Sequence, residues 1–167
     1  MIITDSNEIF LQKVPAKTID EIPSGNWLVK FNEMRGGFYL EKTIPFEMPE
    51  TIYGNCIERA DKITRAFNTW DGSLGVLLCG FKGTGKSLLA KKICLDMDIP
   101  VLVVSEPYGG SEFVSFLSKI PQKAIILFDE FEKVYKSGMS ESQEKLLSIL
   151  DGVFSSKFPF YLGIAVS

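Results

Sequence analysis

The 167-residue chain has no histidine, which excludes imidazole acid–base chemistry, Ser-His nucleophiles and histidine-ligated zinc. Cysteine is scarce. Cys56, Cys79 and Cys94 show neither a paired metal spacing nor an even count for disulfides, and they read as reduced core thiols. Arginine is scarce too, with Arg35, Arg59 and Arg65 as the whole complement. With 18 basic against 21 acidic side chains and a net charge of −3, the chain lacks the basic footprint that tracks a nucleic-acid backbone. No apolar run approaches the ~20 residues needed to cross a bilayer, and MIITDSNEIF has neither the basic start nor the apolar stretch of a signal peptide. A cytoplasmic chain without membrane or nucleic-acid partners is expected, its chemistry carried by carboxylates, lysines, hydroxyls and backbone groups.

Two textures divide the sequence. Residues 1–50 contain NWLVKFNEMRGGFYLEKT, which reads as two strands around a turn: Trp27, Val29 and Phe31 alternate in one, Phe38 and Leu40 in the other, with Gly36-Gly37 available for positive φ. This predicts a small β-rich N-terminal segment, either a packing appendage or a docking surface. From residue 51 helix and strand patterns alternate. Ile57, Ala60, Ile63, Phe67 and Trp70 recur at helical spacing. LGVLLC (74–79) is too short for a helix and apolar on both faces, as a central parallel strand should be. SLLAKKICLDM and SEFVSFLSKI read as helices, PVLVVS, AIILFDE and FYLGIAVS as strands, and Ser140 with Gln143 as a capping box before QEKLLSILDGVF. The expected fold is α/β, a three-layer sandwich around a parallel sheet, over residues 51–167.

Between LGVLLC and its following helix stands GFKGTGKS (80–87), in which Gly80, Gly85, Lys86 and Ser87 satisfy the phosphate-loop pattern G-x-x-x-x-G-K-[ST]. A loop wrapped around phosphate turns successive N–H groups inward, and side chains there would block the approach. Lys86 supplies charge to the terminal phosphates, Ser87 an oxygen to Mg²⁺, and the helix start a partially positive end. Lys82, Gly83, Thr84 and Leu88 complete the candidate nucleotide contacts.

AIILFDE is apolar until Asp129-Glu130. A strand buried along its length releases two carboxylates only where it emerges, at the sheet edge that carries the phosphates. Asp129 is the candidate for the Mg²⁺ shell, and Glu130 for orienting and deprotonating the attacking water. No N-K-x-D, D-x-x-G or LSGGQ-like segment occurs, and a small-molecule kinase needs no such glutamate. Hydrolysis of an adenine nucleotide is therefore expected.

The pair GFKGTGKS and ILFDEFEKV, with LLSILDGV after it, resembles the AAA+ ATPases over about residues 51–167. The resemblance implies a P-loop NTPase core with four of its five strands, a homo-oligomeric, hexameric ring and a remodelled or threaded protein substrate. It also places Ile52, Tyr53 and Gly54 against the adenine, Tyr108-Gly109 in a loop facing the ring's pore, and Ser167 as a γ-phosphate sensor. The family's trans-acting arginine finger, lid arginine, fifth strand and helical lid have no counterpart, so the chain looks truncated before the lid; its texture is similar to that of phage-encoded ATPases of this type. In that strand order the missing strand would leave LGVLLC as an exposed edge. Two other functions share the motifs: an ATP-binding interaction module without turnover, and a helicase-loader-like protein acting on DNA, against which the acidic balance counts.

Overall fold

A computed structural model describes residues 2–5, 8–11, 19–108, 110–129 and 161–166. Strands β1 (Ile2–Asp5) and β2 (Glu8–Leu11) form an antiparallel pair of their own. The other strands are β3 (Gly25–Asn32), β4 (Gly37–Lys42), β5 (Leu74–Leu78), β6 (Pro100–Val104), β7 (Ala124–Phe128) and β8 (Tyr161–Val166). They make one six-stranded sheet in the order β4-β3-β6-β7-β8-β5, parallel throughout except for the β3–β4 hairpin. The helices are α1 (Cys56–Thr69), α2 (Lys86–Asp96) and α3 (Gly110–Ser118).

Alternation within the central strands decides the layering. Successive side chains leave a strand on opposite faces, and both sets are apolar here. Val101, Ile125, Leu127, Leu162 and Ile164 pack with Ala60 and Phe67 of α1 and Leu89, Ile93 and Cys94 of α2. Leu102, Val104, Ile126, Phe128 and Ala165 pack with Phe113 and Leu117 of α3. The sheet is thus covered on both faces, the three-layer α/β arrangement expected from the sequence. Tyr161 ties strand to helix, its hydroxyl donating to the Leu117 carbonyl while its N–H donates to Ser73 Oγ.

The β3–β4 hairpin turns at Gly36, whose φ is +61°, and it joins the main sheet. Gly25 lies opposite Pro100 and Leu28 opposite Val103, so β3 is a parallel neighbour of β6 and Val29 is fully buried. Phe38 anchors the hairpin to α3, its ring centroid 4.9 Å from Phe31, 5.0 Å from Tyr108, 5.3 Å from Phe113 and 5.4 Å from Phe116. Asn26, a buried polar residue, donates from Nδ2 to the Ile44 carbonyl at 3.1 Å. Gln122 clamps the segment entering β3: its Oε1 accepts the Ile22 N–H at 2.7 Å and its Nε2 donates to the Ile22 carbonyl at 2.9 Å.

Some sequence expectations are corrected. β5 is the edge strand of the sheet rather than a central one, with Leu77 58% exposed; composition alone cannot distinguish the two positions, whereas the strand-order expectation did. Cys94 is buried, but Cys56 is half-buried and Cys79 exposed beyond the end of β5. Ile57 and Trp70 do not join the buried face of α1, which rests on Ala60 and Phe67; the helix stops at Thr69 and Trp70 is extended. The capping box at Ser140 and Gln143 and the helix after it lie outside the described residues.

Two predictions follow from these contacts. Gln122→Ala removes both hydrogen bonds to Ile22 and should cost about 1–3 kcal/mol, read as a lower urea midpoint at unchanged slope; an unchanged midpoint would mean that the aromatic contacts alone hold the hairpin. Burial pushes the Cys94 thiol up from 9.0 to about 12 and the Tyr161 phenol up from 10.0 to about 12. The unfolded chain ionises at the ordinary values, so above pH 9 it binds fewer protons than the folded one. Stability is therefore full below that pH and falls as pH rises toward 12. Urea midpoints should be flat up to about pH 9 and decline beyond it, and Cys94→Ala should flatten the first part of the decline.

Candidate functional site

β5 ends at Leu78 and the chain turns through Gly80–Gly85 into α2. Gly85, with φ of +84°, stands immediately before the helix in the left-handed region that a Cβ resists. Gly80 matters for space: a Cβ there would sit 3.3 Å from Thr84 Oγ1, inside the bend. The loop satisfies its own polar groups. The Phe81 carbonyl accepts from the Thr84 N–H at 3.3 Å, the Thr84 hydroxyl at 2.8 Å and Lys86 Nζ at 2.9 Å, and Lys86 Nζ also donates to the Gly80 carbonyl at 2.6 Å. Gly85 gives α2 no side-chain cap and there is no acid in the first turn. The first intrahelical bond runs from the Leu89 N–H to the Gly85 carbonyl at 2.9 Å. The N–H groups of Lys86, Ser87 and Leu88 thus have no acceptor within the helix, and the helix presents its positive end at the loop.

α1 forms the opposite wall. Only residues 70–73 separate it from β5, so its C-terminal end lies at the start of β5 and its N-terminal end level with the loop. Together these elements enclose a cleft of about 800 Å³. Its lining has two characters. Ile63, Leu74, Val76 and Leu88 are apolar, while Arg59, Lys62 and Lys86 are cationic, and no carboxylate among the described residues lines it. Such a cleft suits an anion joined to a flat apolar group.

Of the residues singled out from sequence, Tyr53, Gly54, Gly80, Thr84, Gly85, Lys86 and Leu88 line this one cleft. Ile52, Lys82, Gly83 and Ser87 do not, although Ser87 lies in the first turn of α2. Asp129 is exposed directly after β7. β8 lies between β7 and β5, and the registers Leu78–Val166 and Ala165–Phe128 bring all three strand ends to one level. Strand spacing then sets the end of β7 roughly 10 Å from the end of β5. Glu130 and Ser167 lie outside the described residues. Arg59 and Lys62 escaped the sequence reading, which followed the buried stripe of α1. Cys56, Arg59, Ile63 and Ala66, at steps of three and four, make a second stripe that faces the cleft.

Tyr108, expected in a loop facing the ring's pore, is half-buried between Phe38 and Phe113, and its hydroxyl donates to Glu106 Oε2 at 2.9 Å. Burial first, then the Glu106 carboxylate, pushes the phenol up to about 12.

Comparison with known proteins bears on this arrangement. Residues 76–165 match the ATPase family associated with various cellular activities (AAA). The chain is 29% identical over 110 residues to the ATP-dependent Clp protease ATP-binding subunit ClpX of Borrelia duttonii, covering 50% of this chain and 26% of that protein. It is 31% identical over 103 residues to ClpX 2 of Wolinella succinogenes, covering 46% of this chain and 26% of that protein. The matched part spans about a quarter of the length of these curated relatives. No helix among the described residues is long and apolar enough to cross a membrane. Because the family match opens inside β5 and closes inside β8, it takes in the phosphate loop, Asp129 and the strands between them, and the chain belongs to the AAA family of ATPases.

Proposed function

We propose that the cleft between α1 and the phosphate loop binds ATP with Mg²⁺ and that the chain hydrolyses it, as part of an oligomeric ring that remodels or threads a protein. The observation that carries the reading is the cleft's lining: cations and apolar groups without a carboxylate, at the mouth of a loop where even a Cβ on Gly80 would intrude.

The residues divide the work by position. Backbone groups of Gly80, Lys82, Gly83, Thr84 and Gly85, with the free N–H groups at the start of α2, surround the phosphates. Lys86 leaves the carbonyls of Gly80 and Phe81, its partners within the loop, and turns its charge to the β- and γ-phosphates. Leu88, with Ile52, Tyr53 and Gly54, borders the base. Ser87 and Asp129 hold the metal ion, a hard cation suited to a hydroxyl and a carboxylate oxygen. Bound Mg²⁺ would neutralise charge gathering on the phosphate oxygens. Glu130 orients the attacking water and takes its proton. Ser167, following β8, contacts the γ-phosphate.

Support for an assembly acting on protein comes from the relatives, both named as ATP-binding subunits of an ATP-dependent protease. The Tyr108 loop leaves β6 at the same edge of the sheet as the phosphate loop and is the candidate substrate contact. Its ring is backed by the hairpin, so the loop presents Glu106 and Pro107, both exposed, ahead of the aromatic.

Lys86→Ala should weaken ATP binding by about 10- to 100-fold, the worth of charge-assisted hydrogen bonds. Glu130→Gln should leave ATP binding intact while lowering turnover by about 10²- to 10⁴-fold. Calorimetric titration and phosphate release, run at several protein concentrations with Mg²⁺, measure both. Binding without turnover at any concentration would replace the hydrolase with a nucleotide-binding interaction module.

A further inference from the structure

Resting on the ATP reading, we infer that Arg59 is a second phosphate-binding cation of the cleft, acting from the α1 wall while Lys86 acts from the phosphate loop. Nothing in the loop motif requires it; the placement of the residue does.

Of the three arginines, only Arg59 lines the cleft. Arg35 lies in the turn of the hairpin, its N–H donating to Asn32 Oδ1. Arg65 faces Asp61, four residues earlier, with Nη2 3.9 Å from Oδ2. Arg59 has no such neighbour: the residues three and four away along α1 are Cys56, Lys62, Asn55 and Ile63. Among the described residues it makes no ion pair. The helix therefore places no carboxylate three or four residues from the guanidinium to draw it aside.

Position along the helix selects Arg59 over Lys62. Residues 70–73 alone join the C-terminal end of α1 to the start of β5, so its first turn, Cys56–Arg59, is the end of the helix farthest from that connection, and Lys62 lies nearer to it. At a rise of about 1.5 Å per residue, Lys62 stands roughly 4.5 Å further toward the apolar end. A guanidinium also offers a planar fork of N–H donors that matches two phosphate oxygens at once. Three cations without a carboxylate repel one another, and a polyanion placed between them turns that repulsion into attraction.

The test is ATP, ADP and adenosine binding by calorimetry on the full 167-residue chain and its variants. Arg59→Ala should weaken ATP by about tenfold and ADP by less, leaving adenosine unchanged. Arg59→Lys should recover part of the loss, and Arg65→Ala should change nothing. Thermal unfolding midpoints of the variants, compared without nucleotide, separate a contact from a folding defect. If Arg59→Ala binds ATP like the wild type while Lys86→Ala does not, the inference fails and the ATP reading stands. Equal losses for ATP and adenosine would move the contact to the base and overturn the phosphate assignment. A wild-type chain that binds no ATP would overturn both.

Discussion

A strand covered on both faces can carry polar or charged groups only beyond its ends, and the whole site is arranged by that constraint. β7 is apolar and buried from Ala124 to Phe128, so the first residue able to hold a carboxylate is Asp129. β6 is apolar from Pro100 to Val104 and releases Ser105 and Glu106 in the same way. β5, open on its Leu77 face, is set at the same level by its register with β8. Because these strands are parallel, all three exits fall on one edge. Burial of the core therefore gathers the loop, the carboxylate and the Tyr108 segment at that edge. In energetic terms the positions of the reactive groups are secured by hydrophobic burial, at about 25 cal/mol per Å² of apolar surface.

The two ends of the sheet are treated differently. The β3–β4 hairpin buries Val29 and rests Phe38 among four rings, so α3 and the loop before it are fixed from the side. β4, the outermost strand there, carries Glu41 and Lys42, both exposed, which discourage another strand from pairing. At the other end β5 has no charged residue and no proline. Tyr53, Leu77 and Phe81 are exposed around it, at 84%, 58% and 88%. Exposed apolar side chains thus stand at both ends of the sheet, with Met34 and Ile44 at the hairpin end, but only the β4 edge carries charges of its own.

Much of this was legible in the sequence. Strand and helix types over 25–128 followed from periodicity, because a strand buried on both faces and an amphipathic helix have different repeats. The phosphate loop was legible because its residue types answer to backbone geometry: Gly80 and Gly85 stand where a Cβ would intrude or strain the chain. The cationic wall of α1 was not, since Arg59 and Lys62 read as an ordinary solvated face until the helix is laid along β5. Nor was the hairpin's place in the main sheet, because parallel pairing of Gly25 with Pro100 joins residues far apart in the chain and leaves no local signal. The packing behind Tyr108 was hidden for a related reason: the partner that covers it, Phe38, is fixed only by the three-dimensional pairing.

The open edge has a mechanical consequence. A strand inside a sheet is held by hydrogen bonds on two sides and resists displacement from both; among the described residues β5 pairs with β8 alone. The phosphate loop is therefore suspended from an edge strand of the described sheet, like a load at the free end of a cantilever. A push or pull on β5 reaches Gly80 and Lys86 within a few residues, whereas the same force on β7, braced between β6 and β8, would be shared across the sheet.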